Sequence, residues 1–265
     1  MNFLSTEDTA ISDEYLKNGF VIRKSSDQNA TEYLRNTIAK VSSGILGDKY
    51  PENVDNFLNT IHEKIKLKDL NSFRLGVIQG INQDPDFRKH YYLSSKPYLE
   101  SLVGNELAMQ LRVNLSIQFP GDDSSLLPVH SDTWSGDSPY EVVVWIPLVD
   151  CYKTKAMYLL LADDSKKLIL NFSARAGKNS EELFKSIEKD VKFLDIKFGE
   201  VMIFDQGYPH GNRINEEKET RWSLNCRFKS VFTPYGDKKI GEFFEPITLR
   251  AASRVGMEYK FPEVN

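Results

Sequence analysis

Cysteine, histidine and long apolar runs are all scarce in this chain of 265 residues. Cys151 and Cys226 are the only cysteines, which excludes a disulfide framework and a thiolate cluster of the structural-zinc kind and fits a reducing compartment. The most apolar runs, residues 142–149 and 157–162, fall far short of the roughly 20 residues that cross a bilayer. The first eight residues turn acidic at Glu7 and Asp8 without the basic-then-apolar order of a signal peptide. A formal net charge of -4 gives no electrostatic reason for a nucleic-acid partner. The pairs Lys166-Lys167 and Lys238-Lys239 are isolated and read as solvated surface charge. Internal repeats and low-complexity tracts are also missing. The absences point to a cytoplasmic protein with neither a membrane nor a nucleic acid as partner.

What is present is ordinary globular composition, 40% hydrophobic and 27% charged, and a chain long enough to bury a sizeable core. No linker divides it, so a single domain over 1–265 is expected. Its parts are a mainly helical support at 1–108, a β-rich core at 109–232 and a C-terminal segment at 233–265. The fold class is α+β.

The helical part is read from spacing and caps. Ser12 is placed to cap a short helix that Gly19 ends, and Phe20-Val21-Ile22 follows as a strand. Tyr33, Leu34, Ile38, Val41 and Ile45 recur at helical spacing before Gly47, as do Phe57, Leu58, Ile61 and Ile65 after Pro51. Asp84-Pro85 and Ser95-Lys96-Pro97 read as helix starts, the second closed by Gly104. From Leu111 the period becomes two: Leu111, Val113, Leu115, Ile117 and Phe119 alternate with Arg112, Asn114, Ser116 and Gln118. In a barrel around a polar site that polar row points inward; otherwise it faces water. Further strands are expected at 140–147, 157–161, 167–172, 201–204 and 221–229, with a helix from Ser180 to about Lys189 whose Glu181 and Glu182 complement the helix dipole.

The four histidines can be weighed one by one. His62 precedes Lys66 where a helical zinc-protease motif needs a second histidine, and it reads as a surface-helix residue. His90, beside Tyr91-Tyr92, reads as a packing residue. His130 and His210 differ, each lying just past a proline in a short turn-like segment at a strand edge. In an extended segment His130 and Asp132 share a side. His210 follows Asp132 by 78 residues and precedes Arg221 by 11. Two imidazoles and one carboxylate make a facial triad that leaves coordination positions open on a non-haem Fe(II). Arg221 and Ser223 share a face of the strand and suit a carboxylate held by charge-assisted hydrogen bonds. Against this stand a surface ion pair of Arg221 with Glu217 or Glu219, and a Ser223 hydroxyl bonded to backbone.

His130-x-Asp132, His210 and Arg221-x-Ser223, in that order on a period-two half, resemble the Fe(II)/2-oxoglutarate-dependent oxygenases of the double-stranded β-helix fold, a jelly-roll, cupin-like barrel. The similarity is greatest to the phytanoyl-CoA-dioxygenase-like branch, whose N-terminal entry residues 14–22 also resemble. Residues 129–139 and 210–213 are similar to oxygenases of bacterial surface-carbohydrate biosynthesis. The resemblance implies that His130, Asp132 and His210 hold Fe(II) and that Arg221 with Ser223 binds the C5 carboxylate of 2-oxoglutarate. Arg227 has the same strand parity and competes for that role; the serine partner and the spacing from His210 favour Arg221. Asn114, Ser116 and Gln118 are candidates for the rest of 2-oxoglutarate or the substrate, and Thr133, Trp134 and Asn212 for the substrate pocket, with the run 134–139 as a covering loop. For Trp145 core packing is expected. The implied reaction couples conversion of 2-oxoglutarate and dioxygen into succinate and carbon dioxide to oxidation of a substrate C–H bond, by hydroxylation, desaturation, epimerisation or alcohol oxidation. The implied substrate is a small polar molecule such as a sugar or sugar conjugate. Two rivals are a zinc or manganese barrel enzyme doing isomerase or hydrolase chemistry, which needs no Arg221-Ser223 clamp, and a non-enzymatic carbohydrate-binding jelly roll.

Overall fold

Strand β9 (Arg221–Ser230), at ten residues the longest, forms the spine of the molecule. In the computed structural model, which describes residues 3–172 and 179–263, β9 is flanked on one side by β4 (Val142–Pro147). On the other it meets β3 (Asn114–Gln118) and then β2 (Leu107–Gln110). β7 (Glu200–Asp205) continues from β4 to β1 (Phe20–Lys24), and β10 (Phe244–Pro246) closes the far edge, giving seven strands, all antiparallel. A second sheet orders β6 (Val191–Phe193), β5 (Tyr158–Leu160) and the two-residue β8 (His210–Gly211). Alternation along β9 divides its side chains. Trp222, Leu224, Cys226 and Phe228 are each 0% exposed in the core, whereas Arg221, Ser223, Asn225 and Arg227 open on a cavity between the sheets.

Helices cover the core side. α1 (Thr6–Asn18), α2 (Gln28–Leu46), α3 (Val54–Asn59), α4 (Leu70–Gln83), α5 (Phe87–Leu93) and α6 (Lys96–Leu102) precede β2. Leu34 and Ile38 of α2, Val77 and Ile81 of α4, and Phe87 and Tyr91 of α5 are each 0% exposed and belong to the same core as β9. The remaining helices are α7 (Ala162–Leu170), α8 (Ser180–Ile187) and α9 (Ala251–Glu258). None of the described helices is long and apolar enough to cross a membrane.

Several expectations are corrected. Among the described residues neither sheet closes on itself, so in place of the closed barrel expected there are two antiparallel sheets around a cavity. Ser5, not Ser12, caps α1, its hydroxyl accepting from the Asp8 N–H at 3.0 Å, although Gly19 ends the helix as expected, with φ 82. That φ suits glycine, and a Cβ there would also sit 2.1 Å from the Tyr208 ring. Asp84 ends α4 and accepts from the Asp86 N–H at 2.9 Å, so α5 begins two residues after Pro85. Residues 111–119 do not form one strand: Leu111 donates to the Phe243 carbonyl at 2.8 Å, extending the pairing of β2 with β10, and pairing with β9 resumes only at Asn114, two residues out of register with β2. The strand expected at 167–172 is helix α7. Its buried residues Ala162, Ser165 and Leu168 recur every third position, while Ile169 and Leu170, which suggested a strand, are exposed. α8 is capped by Asn179, one residue early, in a capping box with Glu182. His62 is half-buried in a 3-10 turn, its Nδ1 2.9 Å from the Thr220 hydroxyl. His90 packs as expected, stacked on Tyr33 with ring centroids 3.9 Å apart.

Candidate functional site

The two outstanding histidines are cross-strand neighbours. His130 donates its backbone N–H to the His210 carbonyl at 3.0 Å and accepts from the His210 N–H at 2.9 Å, a closed antiparallel pair beside β8. Their rings lie 4.3 Å apart between centroids. Gly211 permits this approach, since a Cβ on it would fall 2.6 Å from the Leu127 carbonyl oxygen. Asp132 opens the 3-10 turn Asp132–Ser135 and is anchored by its N–H to the Gln206 carbonyl at 3.0 Å. One ligand atom each from His130, Asp132 and His210 lie within 4.8 Å of one another, as a metal cluster requires.

Tautomers follow from backbone contacts. His130 Nδ1 lies 2.8 Å from the Pro128 carbonyl and His210 Nδ1 2.8 Å from the Tyr208 carbonyl. A carbonyl only accepts, so each Nδ1 carries the hydrogen and each Nε2 is left with its lone pair for a cation. His130 Nε2 is 3.5 Å from Asp132 Oδ1. Burial of His210, with the neighbouring His130, pushes its pKa down to about 4, keeping it neutral. For His130 burial acts in the same sense, but the Asp132 carboxylate and the Pro128 carbonyl outweigh it and the net shift is upward. Burial also opposes the Asp132 charge, yet the adjacent His130 imidazole and the Arg227 guanidinium hold its carboxyl well below the usual range. A carboxylate ionised at neutral pH beside two Nε2 lone pairs is a donor set for a divalent ion.

The same cavity, about 320 Å³, extends from these ligands to the start of β9. Arg221 is 4% exposed and donates through Nη2 to the Ser116 hydroxyl at 2.9 Å. Its Nε and the Ser223 hydroxyl are buried and lack a partner among the described residues. Neither alternative for this pair fits: Glu217 and Glu219 pair with Lys153 and Lys155, and no backbone group of the described residues takes the Ser223 hydroxyl. Asp122 is felt by Arg221 through space but makes no ion pair with it: Asp122 Oδ1 accepts from the Ser124 N–H at 2.7 Å and the Ser124 hydroxyl at 2.6 Å, and Oδ2 is buried without a partner among the described residues. Burial pushes the Arg221 pKa down to about 10, which leaves the guanidinium charged at neutral pH. A buried cation with an idle donor beside an idle hydroxyl is a receptor for an anion.

Other candidates divide between lining and support. Asn114, Ser116 and Asn212 line the cavity, so the polar row of β3 does point inward. Asn114 Nδ2 donates to Asn225 Oδ1 at 3.1 Å. Gln118 is fully buried and does not line the cavity; it accepts from Asn212 Nδ2 at 3.2 Å and donates to the Arg213 carbonyl at 2.8 Å. Arg227 lines the cavity but is paired with Asp132. Thr133 and Trp134 do not line it: the Thr133 hydroxyl bonds Ser131 at 2.7 Å, and Trp134, 37% exposed, packs on Phe172. The run 134–139 is pinned. Ser138 donates its hydroxyl to the Pro234 carbonyl at 2.7 Å, and Asp137 pairs with Lys238 at 2.6 Å, so Lys238 is not the free surface charge expected. Trp145, expected in the core, is 5% exposed and also forms part of the cavity wall. Asn225, Met157, Phe204 and Leu127 also line it. Of these Asn225 was legible from the parity of Arg221 and Ser223.

No protein-family model matches the chain, and no curated protein matches it by sequence. Solved structures do match by fold. The non-haem α-ketoglutarate-dependent carbocyclase SnoK from nogalamycin biosynthesis aligns with a TM-score of 0.54 at 14% identity, covering 93% of this chain and 97% of its own. HygX from Streptomyces hygroscopicus, solved with nickel and 2-oxoglutarate bound, aligns with a TM-score of 0.51 at 14% identity over 88% and 89%. The non-haem α-ketoglutarate-dependent epimerase SnoN, also from nogalamycin biosynthesis, aligns with a TM-score of 0.50 at 12% identity over 92% and 93%. Identities this low establish a shared fold.

Proposed function

We propose that the chain is an Fe(II)/2-oxoglutarate-dependent oxygenase. The observation that carries this reading is the idle Arg221 Nε and Ser223 hydroxyl, buried in the same cavity as His130, Asp132 and His210. A zinc or manganese isomerase or hydrolase has no use for that second receptor. In this reading the two Nε2 atoms and Asp132 hold Fe(II), and Arg221, Ser223 and Ser116 hold the distal carboxylate of 2-oxoglutarate, with Asn114 and Asn225 beside its path. Bound together, the metal and 2-oxoglutarate would use dioxygen as the oxidant, one oxygen atom going into succinate as carbon dioxide leaves and the other oxidising a substrate C–H bond. The chain's own part is orientation and exclusion of water. Val143, Trp145, Met157 and Phe204 wall the cavity with apolar surface, which strengthens each charge–dipole contact inside it.

The substrate proposed is a small polar molecule, a sugar or sugar conjugate, and hydroxylation is the reaction proposed. With Arg221 assigned to 2-oxoglutarate and Arg227 paired to Asp132, the polar lining left is neutral: Asn114, Asn225, Asn212 and Ser125. Amides and hydroxyls facing apolar walls suit a neutral polyhydroxylated ring. The motif similarity to oxygenases of surface-carbohydrate biosynthesis, within the phytanoyl-CoA-dioxygenase-like branch, supports the same class.

Under argon, Fe(II) followed by 2-oxoglutarate is expected to give the weak visible charge-transfer band of the chelate. His130→Ala and Asp132→Ala are expected to abolish that band and succinate formation, while His90→Ala keeps both. A folded wild-type protein without the band, or a His130→Ala variant with undiminished turnover, would refute the assignment.

A further inference from the structure

Arg227 has the strand parity of a second anion receptor, yet its guanidinium is engaged inside the fold. We propose that Arg227 is the positioning residue of the metal carboxylate: it occupies one oxygen of Asp132, so that only the other faces the histidines. The inference rests on the metal assignment proposed above for His130, Asp132 and His210.

Each end of Arg227 has a fixed partner. Nη2 donates to Asp132 Oδ2 at 2.7 Å, whereas Oδ1 is the oxygen 3.5 Å from His130 Nε2. Nε donates to Gln206 Oε1 at 2.9 Å and lies 3.5 Å from Asp137 Oδ2. Gln206 is 0% exposed and is itself locked, its Nε2 donating to Glu141 Oε2 at 3.0 Å and to the Ser138 carbonyl at 3.1 Å. The Gln206 backbone carbonyl meanwhile accepts the Asp132 N–H. One residue at the end of β7 thus fixes both the main chain of the ligand and the side chain that orients it.

Charge is balanced across this group. Arg227, Lys238 and Lys229 face Asp132, Asp137 and Glu141, with Lys238 on Asp137 at 2.6 Å and Lys229 acting on Glu141 through space. The net repulsion of a cation by the guanidinium is therefore small, and its geometric effect dominates. A carboxylate with Oδ2 occupied ligates through Oδ1 alone, which keeps a further coordination position open. Without the guanidinium the carboxylate is free to rotate, and Oδ1 is no longer held towards the two Nε2 atoms.

Co(II) titration of the full-length protein under anaerobic conditions, read by its d–d absorption and by calorimetry, tests this without turnover. Arg227→Met is expected to weaken Co(II) binding by about 10- to 100-fold and to change the band shape. Arg227→Lys keeps the charge but cannot span Asp132 and Gln206 together, so it should lie between Met and wild type. Should Arg227→Met fail to fold, Arg227→Lys alone decides. Co(II) affinity within twofold of wild type and an unchanged spectrum in the folded variants would overturn the proposal. So would a weakened 2-oxoglutarate affinity with metal binding intact, which would make Arg227 an anion receptor after all. Failure of the wild type itself to bind Co(II) would refute the metal assignment instead.

Discussion

Arg221→Met should raise the stability of the empty protein while abolishing its response to 2-oxoglutarate. The folded pKa of Arg221 falls by between two and three units, to about 10, chiefly through burial. A drop of that size disfavours the charged form by about 3 kcal/mol. Arg221 is 4% exposed, so solvent screening takes little of this away. Because the folded value lies below the unfolded one, the penalty is complete at every pH below about 10 and fades only as pH rises from there towards the unfolded value. Methionine removes the charge and also the bond to the Ser116 hydroxyl, whose loss costs about 1 kcal/mol. The net expectation is a gain of about 2 kcal/mol at pH 7, a rise in melting temperature of about 4–8 °C. Wild-type protein loaded with Ni(II) should gain about 2.7 kcal/mol from 2-oxoglutarate at 100 times its dissociation constant, and the variant should gain nothing at the same concentration. Calorimetry of the two proteins, metal-free and then Ni(II)-loaded with and without 2-oxoglutarate, reads both effects. A variant that melts lower than wild type, or that keeps the 2-oxoglutarate shift, would refute the reading of Arg221 as an uncompensated cation awaiting an anion.

His210 gives a pH signature in the metal-free protein. Its folded pKa of about 4 lies below the unfolded value of 6.5, so its stabilising effect is present above 6.5 and lost as pH falls towards 4; wild type should lose about 2 kcal/mol more than His210→Gln between pH 7 and 5 in urea titrations. Equal losses would contradict a buried neutral imidazole. Gly211→Ala should cost about 1–3 kcal/mol and weaken Co(II) binding, because the new Cβ meets the Leu127 carbonyl at 2.6 Å and the Tyr158 hydroxyl at 2.7 Å beside His210. Wild-type stability and metal affinity in that variant would show that the Leu127 segment gives way freely.

Local periodicity carried the elements whose burial is one-sided. β9 alternates polar and apolar residues without exception from Arg221 to Phe228, its apolar ones in the core and its polar ones on the cavity, and α2 shows its buried stripe at helical spacing, so both are legible from the chain alone. Periodicity misled where few residues are buried. Leu168-Ile169-Leu170 looks like a strand because apolarity stands in for burial, yet only Leu168 reaches the interior, at 3% exposure. Caps slipped for a related reason: Ser5 and Ser12, or Asn179 and Ser180, are chemically equivalent as acceptors, and the choice between them depends on which N–H groups the tertiary structure leaves free. The pinning of residues 134–139 has no local signal at all. It is made by Pro234 and Lys238, about a hundred positions away.

The site shows the same limit in sharper form. Parity along β9 places Arg221, Ser223, Asn225 and Arg227 on one face, and nothing in the strand itself ranks one arginine over the other. What separates them comes from other strands. Arg227 meets Asp132 at 2.7 Å and Asp137 at 3.5 Å, whereas Arg221 meets only the neutral Ser116 hydroxyl and forms no ion pair with the described residues. Ser116 faces β9 because β3 pairs in a register that sets Ser116 against Ser223, and a slip of one residue would put Ile117 there instead. An arginine whose charge is answered within the fold has a structural duty. One that is buried and unanswered leaves the fold short of an anion, and the register of β3 against β9 is what leaves Arg221 in that condition.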